Sequence, residues 1–165
     1  MTGCSQSRTG MRITQSFRNL PRPHAQEIGS AGPGDYDSIE RRAVIEFFSR
    51  YAAEELNSLT IKAYKGDKGA AMHFMSGKAV AYFLPAFMEI YLENEADIFN
   101  IAQSIMYVLS NTSDNRELYN ILHQAYSADQ KIIIREVLTA MDRRLAPDGI
   151  GPPPLPSDIR DRYWS

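Results

Sequence analysis

Residues 70–92 read AAMHFMSGKAVAYFLPAFMEIYL, and the reading of this stretch decides the fold. Apolar side chains form a dense block at helical spacing. The pattern breaks twice. Ser76 is a fitting N-cap for a helix that begins near Lys78, because its hydroxyl can accept from an amide two or three residues on. Pro85 has no amide N–H and its ring clashes with the carbonyl of Ala81 inside a continuous helix, so the spacing predicts two helices that meet at Leu84 and Pro85. The second of them, residues 86–92, runs into an acidic patch of Glu93, Glu95 and Asp97. With Lys78, Pro85 and Glu89 inside it, the stretch falls short of the roughly 18 apolar residues that a membrane span requires.

Upstream, Ile13, Phe17 and Leu20 fall at helical spacing and Pro21-Arg22-Pro23 stops the pattern, so residues 11–19 read as a short helix docked by one apolar edge. Residues 22–34 are rich in Pro, Gly, Ser and Ala and predict a loop. Asp37 or Ser38 caps the next helix, which turns Ile39, Ala43, Val44, Phe47, Phe48 and Tyr51 inward. Weaker helical turns are expected over residues 59–64 and 68–75.

Downstream, residues 97–109 are apolar over a wide arc, and Asn111-Thr112-Ser113 supplies a stop and the next cap. Residues 114–126 bury Leu118, Ile121, Leu122 and either Tyr126 or Ala125. Ser127-Ala128-Asp129-Gln130 has the spacing of a capping box and opens a helix over residues 128–145. That helix lines up Ile133, Ile134, Val137, Leu138, Met141 and Leu145, and its Arg143-Arg144 pair sits where positive charge complements a helix C-terminus. Beyond it, Pro147, Pro152, Pro153, Pro154 and Pro156 predict an extended tail that ends in an anchor of Ile159, Tyr163 and Trp164. No alternating strand pattern occurs. The expectation is an all-α protein: a disordered N-terminus over residues 1–10, a compact multi-helix bundle over 11–146, and a Pro-rich C-terminal tail over 147–165.

A net charge of −2 gives no global electrostatic reason to bind nucleic acid or an anionic membrane. The single cysteine, Cys4, cannot close an internal disulfide, which favours the cytoplasm. Thr2-Gly3-Cys4-Ser5 resembles the end of a lipoprotein signal, so a periplasmic lipoprotein is the alternative, without the apolar segment such a signal carries.

Chemistry is sparse. His24, His73 and His123 are far apart with no carboxylate in helical phase, so no metal and no cofactor is implied. No G-x-S-x-G occurs, and Lys65-Gly66-Asp67-Lys68-Gly69 lacks the spacing of a phosphate loop. His73 reads as a partly buried structural imidazole and His123 as a ring packed on Tyr119 or Tyr126. Glu89, Glu93, Glu95 and Asp97 form the candidate partner-binding face, electronegative and suited to a basic protein. Lys62, Lys65, Lys68 and Lys78 with Tyr64 and Tyr82 are a mixture that single-stranded nucleic acid favours, set in an acidic body.

Phe17 with Pro21-Arg22-Pro23, then Tyr82-Phe83-Leu84-Pro85-Ala86-Phe87, then Ser127-Ala128-Asp129-Gln130-Lys131 together resemble a small bacterial family whose domain is of unknown function. That family is typified by a "YYLPAY" motif and a late "LSPEQ" helix cap, and Ala128 stands here for its proline. The resemblance covers about residues 11–145 and implies a helical fold with no catalytic residues. Size, mild acidity and absent motifs lead to the expectation of a non-enzymatic protein-binding module, in particular an immunity protein that neutralises a cognate bacterial toxin. The rivals are a small enzyme built on Glu89, His73 and neighbouring tyrosines, and a weak nucleic-acid binder.

Overall fold

The computed structural model describes residues 12–30, 38–93, 98–145 and 155–165. The described helices are α1 (Ile13–Ser16), α2 (Ala25–Ile28), α3 (Ile39–Phe48), α4 (Gly77–Glu93), α5 (Ile98–Leu109), α6 (Arg116–Ala125), α7 (Ala128–Leu145) and α8 (Pro156–Tyr163). Short 3-10 turns form at Ala53–Glu55, Thr60–Ala63 and Ala71–Phe74. Among the described residues there is no strand, only an isolated antiparallel bridge between Gly29 and Met75. The protein is all-α, and none of its described helices is long and apolar enough to cross a membrane.

The axis of the molecule is α4. Every residue from Ala79 to Tyr91 is buried, and α1, α2, α5, α6 and the Ala53–Glu55 turn pack around it. This helix is continuous where two were expected. The interruption at Pro85 leaves the Ala81 carbonyl without its helical donor, and the Tyr126 hydroxyl donates to that carbonyl at 2.9 Å. A proline inside a helix costs about 3 kcal/mol or more, and one added hydrogen bond returns about 1 kcal/mol of it, so the enclosure of α4 on all sides must hold the rest. At the start of α4, Ser76 caps as expected, accepting from the Ala79 amide at 3.2 Å.

The segment before α3 departs further from the expected loop, because residues 25–28 form α2. Glu27 accepts from the His24 amide at 3.0 Å, closing the turn despite the prolines before it. The Ser30 amide donates to the Phe74 carbonyl and the Ser76 amide to that of Ile28, both at 2.8 Å, which fastens the end of α2 to the head of α4. Ser38 caps α3 as anticipated, its hydroxyl accepting from the Arg41 amide at 2.9 Å.

The capping box at the start of α7 forms, with the Ser127 amide donating to Gln130 Oε1 at 2.9 Å and the Gln130 amide to Ser127 Oγ at 3.3 Å. The free end of the Gln130 amide group then reaches the Ser16 carbonyl and Asn19 Oδ1, binding the N-terminal segment to α7. Two polar residues act on helices other than the ones expected. Asn115, which fell inside the helix expected over residues 114–126, donates instead to the carbonyls of Tyr107 and Ser110 at 2.7 Å each and so closes the C-terminal end of α5. Arg144 donates to the carbonyls of Tyr91 and Leu92 at 3.0 Å each, serving the C-terminus of α4 rather than its own.

The tail also differs from expectation. Pro156 occupies the first turn of α8, where its missing N–H is no loss, and residues 155–165 join the same core as the bundle. The expected anchor is present: Ile159 and Trp164 are fully buried, and Trp164 Nε1 donates to the Leu109 carbonyl at 2.8 Å. Cys4, Glu95, Asp97, Pro147, Pro152, Pro153 and Pro154 lie outside the described residues.

Candidate functional site

Glu89 is not on a partner-binding face. It sits on α4 with 5% of its surface exposed, accepting from the Thr14 amide at 3.0 Å and pairing with Arg12 Nε. Arg12 also donates to the Glu54 carbonyl. The carboxylate therefore holds the N-terminal segment in place, and the acidic face loses its first member. Glu93, four residues on, is exposed at the end of α4. The phase of Glu89 gave no warning, since every face of this helix is covered and sequence periodicity has no outward side to report.

Glu89 and His73 are not brought together either. Glu89 is twelve residues beyond Gly77 at the head of α4, a rise of about 18 Å, while His73 lies in the turn that precedes that head. His73 is exposed rather than partly buried, and its ring meets those of Phe74 and Tyr107 at 5.4 and 5.3 Å. The tyrosines expected to stack on bases are likewise misplaced for that role: Tyr64 is 4% and Tyr82 9% exposed, and the Tyr82 hydroxyl accepts from the Ala53 amide. Burial, with Asp67 and Glu40 nearby, pushes the Tyr64 phenol up to about 12. Lys78 is taken by Glu27 at 2.9 Å.

His123 does pack as expected, with its ring 4.4 Å from that of Tyr119, and it gains a partner that sequence reading did not foresee. The Trp164 indole lies 4.4 Å away on the C-terminal segment. His123 Nε2 is 2.8 Å from the Tyr163 carbonyl, which can only accept, so Nε2 carries the proton. Tyr119 donates to the same carbonyl at 3.0 Å. Burial pushes the imidazole below its ordinary pKa, against the pull of that carbonyl.

Surface features that can receive another molecule include a cleft and a groove. A cleft of about 360 Å³ at the head of α4 gathers His73, Ser76, Tyr107, Asp114 and Glu117 around Met72 and Ile121. Among the described residues no three His, Cys, Asp or Glu side chains converge on a metal-sized site, so this cleft presents single polar groups along its wall. The second feature is a groove of about 260 Å³ between α3 and residues 63–65, lined by Ala43, Glu46, Phe47, Arg50, Tyr64 and Lys65. Its floor is rigid, because Phe47, Phe48, Tyr51 and Tyr64 form a ring cluster with centroids 5.0 to 5.5 Å apart. Glu46 and Arg50 neutralise each other at 2.7 Å. Ile39 lies four residues before Ala43 on the same face of α3 and is 75% exposed, and Leu59, beside the Thr60–Ala63 turn, is 74% exposed.

Compared with protein-family models, curated proteins and solved structures, the chain matches none. The motifs behind the family resemblance have physical work in this fold. Phe17 packs edge-on to Tyr126 at 5.3 Å, Tyr126 serves the carbonyl that Pro85 leaves open, and Gln130 grips the chain on either side of Phe17. Gln130 thus joins the first stretch to the third, and Tyr126, just before the third, joins Phe17 to Ala81, just before the second.

Proposed function

We propose that this chain is a non-enzymatic module that binds another protein, and that the partner is a cognate toxin whose active surface it covers, as an immunity protein does. The reading rests on Ile39 and Leu59. Two large aliphatic side chains are about three-quarters exposed, and each lies four residues before a lining residue of the groove, Ile39 before Ala43 and Leu59 before Ala63, so both are available to a partner that docks there. A partner that inserts an apolar side chain there finds an apolar centre within a rim of Glu46, Arg50 and Lys65, the arrangement of a protein interface. The run from Glu93 through Glu95 to Asp97 supports the choice of a basic partner by supplying the charge that would steer it.

The test is protection. Deleting the gene in its native host should sensitise the cell to the product of a neighbouring toxin gene, and the intact chain should restore resistance. A chain carrying Ile39→Asp and Leu59→Asp should not, while keeping its helical circular dichroism. Unchanged survival of the deletion strain, or full rescue by the double variant, would overturn the proposal.

A further inference from the structure

A third cavity, of about 370 Å³, opens between residues 20–27, α4 and α6 on the other side of Ile121 from the His73 cleft. Its volume is within the range of small-molecule sites. The floor is apolar, made by Leu20, Ala81, the ring of Tyr82, Ile121 and Ala125. The mouth carries the charged groups of Arg22, Lys78 and Glu27, with His24 beside them. We propose that this cavity binds a small amphipathic carboxylate, an organic monoanion whose apolar body rests on the floor and whose head lies against Arg22 and Lys78.

Three observations carry the assignment. First, the walls are fixed before any ligand arrives. Tyr126 bonds the Ala81 carbonyl, the Tyr82 hydroxyl is held by the Ala53 amide, and Ser76 Oγ donates to the Glu27 carbonyl, so the ordering cost of binding is low. Second, Glu27, the one carboxylate at the mouth among the described residues, is already committed. Glu27 accepts from the His24 amide through Oε2 and from Lys78 through Oε1, and these bonds hold its carboxyl below the ordinary range. With Glu27 set against Lys78, the guanidinium of Arg22 is the surplus positive charge. Third, Arg22 is oriented without being consumed: one nitrogen donates to the Ser49 carbonyl at 3.2 Å, and a guanidinium has five N–H groups, enough to meet a carboxylate with two more. A single surplus charge over an apolar floor favours a carboxylate over a phosphate dianion, and a neutral hydrocarbon would leave the rim unused.

The experiment follows the methyl resonances of Ala81, Ile121 and Ala125 by NMR during titration with 4-phenylbutyrate, with 4-phenylbutan-1-ol and phenyl phosphate as comparisons. The acid should give saturable shifts confined to those methyls, with an affinity about tenfold above that of the alcohol, the worth of one charge-assisted hydrogen bond. Arg22→Gln should erase the tenfold preference and leave the alcohol unaffected. Ala125→Phe, or Leu20→Trp should the first variant unfold, should abolish binding of both by filling the cavity. Absent or scattered shifts, equal affinity for acid and alcohol, tighter binding of phenyl phosphate, or indifference to Arg22→Gln would each overturn the assignment. None of these outcomes bears on the α3 groove.

Discussion

The two described flanks of the bundle both pack an aromatic on Tyr126, Phe17 on one side and Trp164 on the other, but they differ in where a buried charge takes part. At the N-terminal side, residues 12–20 are fastened by polar groups: Glu89 on Arg12 and the Thr14 amide, and Gln130 on Ser16 and Asn19. At the C-terminal side, residues 155–165 are held by ring packing of Trp164 against His123, Tyr119 and Tyr126, with neutral hydrogen bonds to the Tyr163 carbonyl and from the Trp164 indole beside it. The difference is one of tolerance. A buried carboxylate is useful only while its donors are present, whereas an aromatic cluster degrades by area and can lose a neighbour without stranding a charge.

The comparison can be broken most directly at its aromatic end. Trp164→Ala removes the largest fully buried side chain, and denaturant unfolding followed by circular dichroism should show a loss of about 3–5 kcal/mol. Hydrogen exchange in α8 should rise before that in α4 if the flank opens on its own. Glu89→Ala comes next, near the lower end of the roughly 3–5 kcal/mol seen on breaking a buried pair, because the Arg12 side chain is 42% exposed and can rehydrate. A loss as large as that of Trp164→Ala would show that the polar flank is the stronger of the two. Tyr126→Phe keeps the ring against Phe17 and Trp164 but strands the Ala81 carbonyl, for a loss of about 1–3 kcal/mol in the same melts. Combined with Pro85→Ala, which restores the helical donor, it should lose less than alone.

The smallest effect concerns pH. Burial depresses the His123 pKa below the ordinary value of 6.5, so the unfolded chain takes up a proton first as pH falls. Stability should be level above about pH 7, decline as pH falls through 6.5, and flatten once the folded imidazole is protonated as well. Lys131 adds to the depression, and the Tyr163 carbonyl opposes it. His123→Gln, which can still donate to that carbonyl, should remove the slope between pH 7.5 and 5.5; a slope that persists in this variant would place its origin elsewhere.

What the sequence made legible were features whose causes are local. The Ser38 cap, the Ser127 to Gln130 box and the stripe on α7 each depend on residues within a turn or two, and each is present. Pro85 was misread because its remedy, Tyr126, lies forty-one residues away and no local rule can include it. The burial of Glu89 was hidden for a similar reason: its partners Arg12 and Thr14 come from the other end of the chain. Helix α2 was lost among prolines and glycines because the bonds that hold it run to Phe74 and Ser76. The candidate surface was only half visible, since exposure at Ile39 and Leu59 depends on what fails to cover them, and a hydrophobic pattern cannot distinguish a covered aliphatic from a bare one.

Trp164 is the only tryptophan in the chain, so the fluorescence of this protein is a private signal from one corner. Its emission reports the environment of a single indole wedged beside an imidazole, and a thermal scan read at that wavelength will follow the release of α8 whether or not the central helix has begun to yield. Two optical probes that disagree would then be describing two events in one molecule.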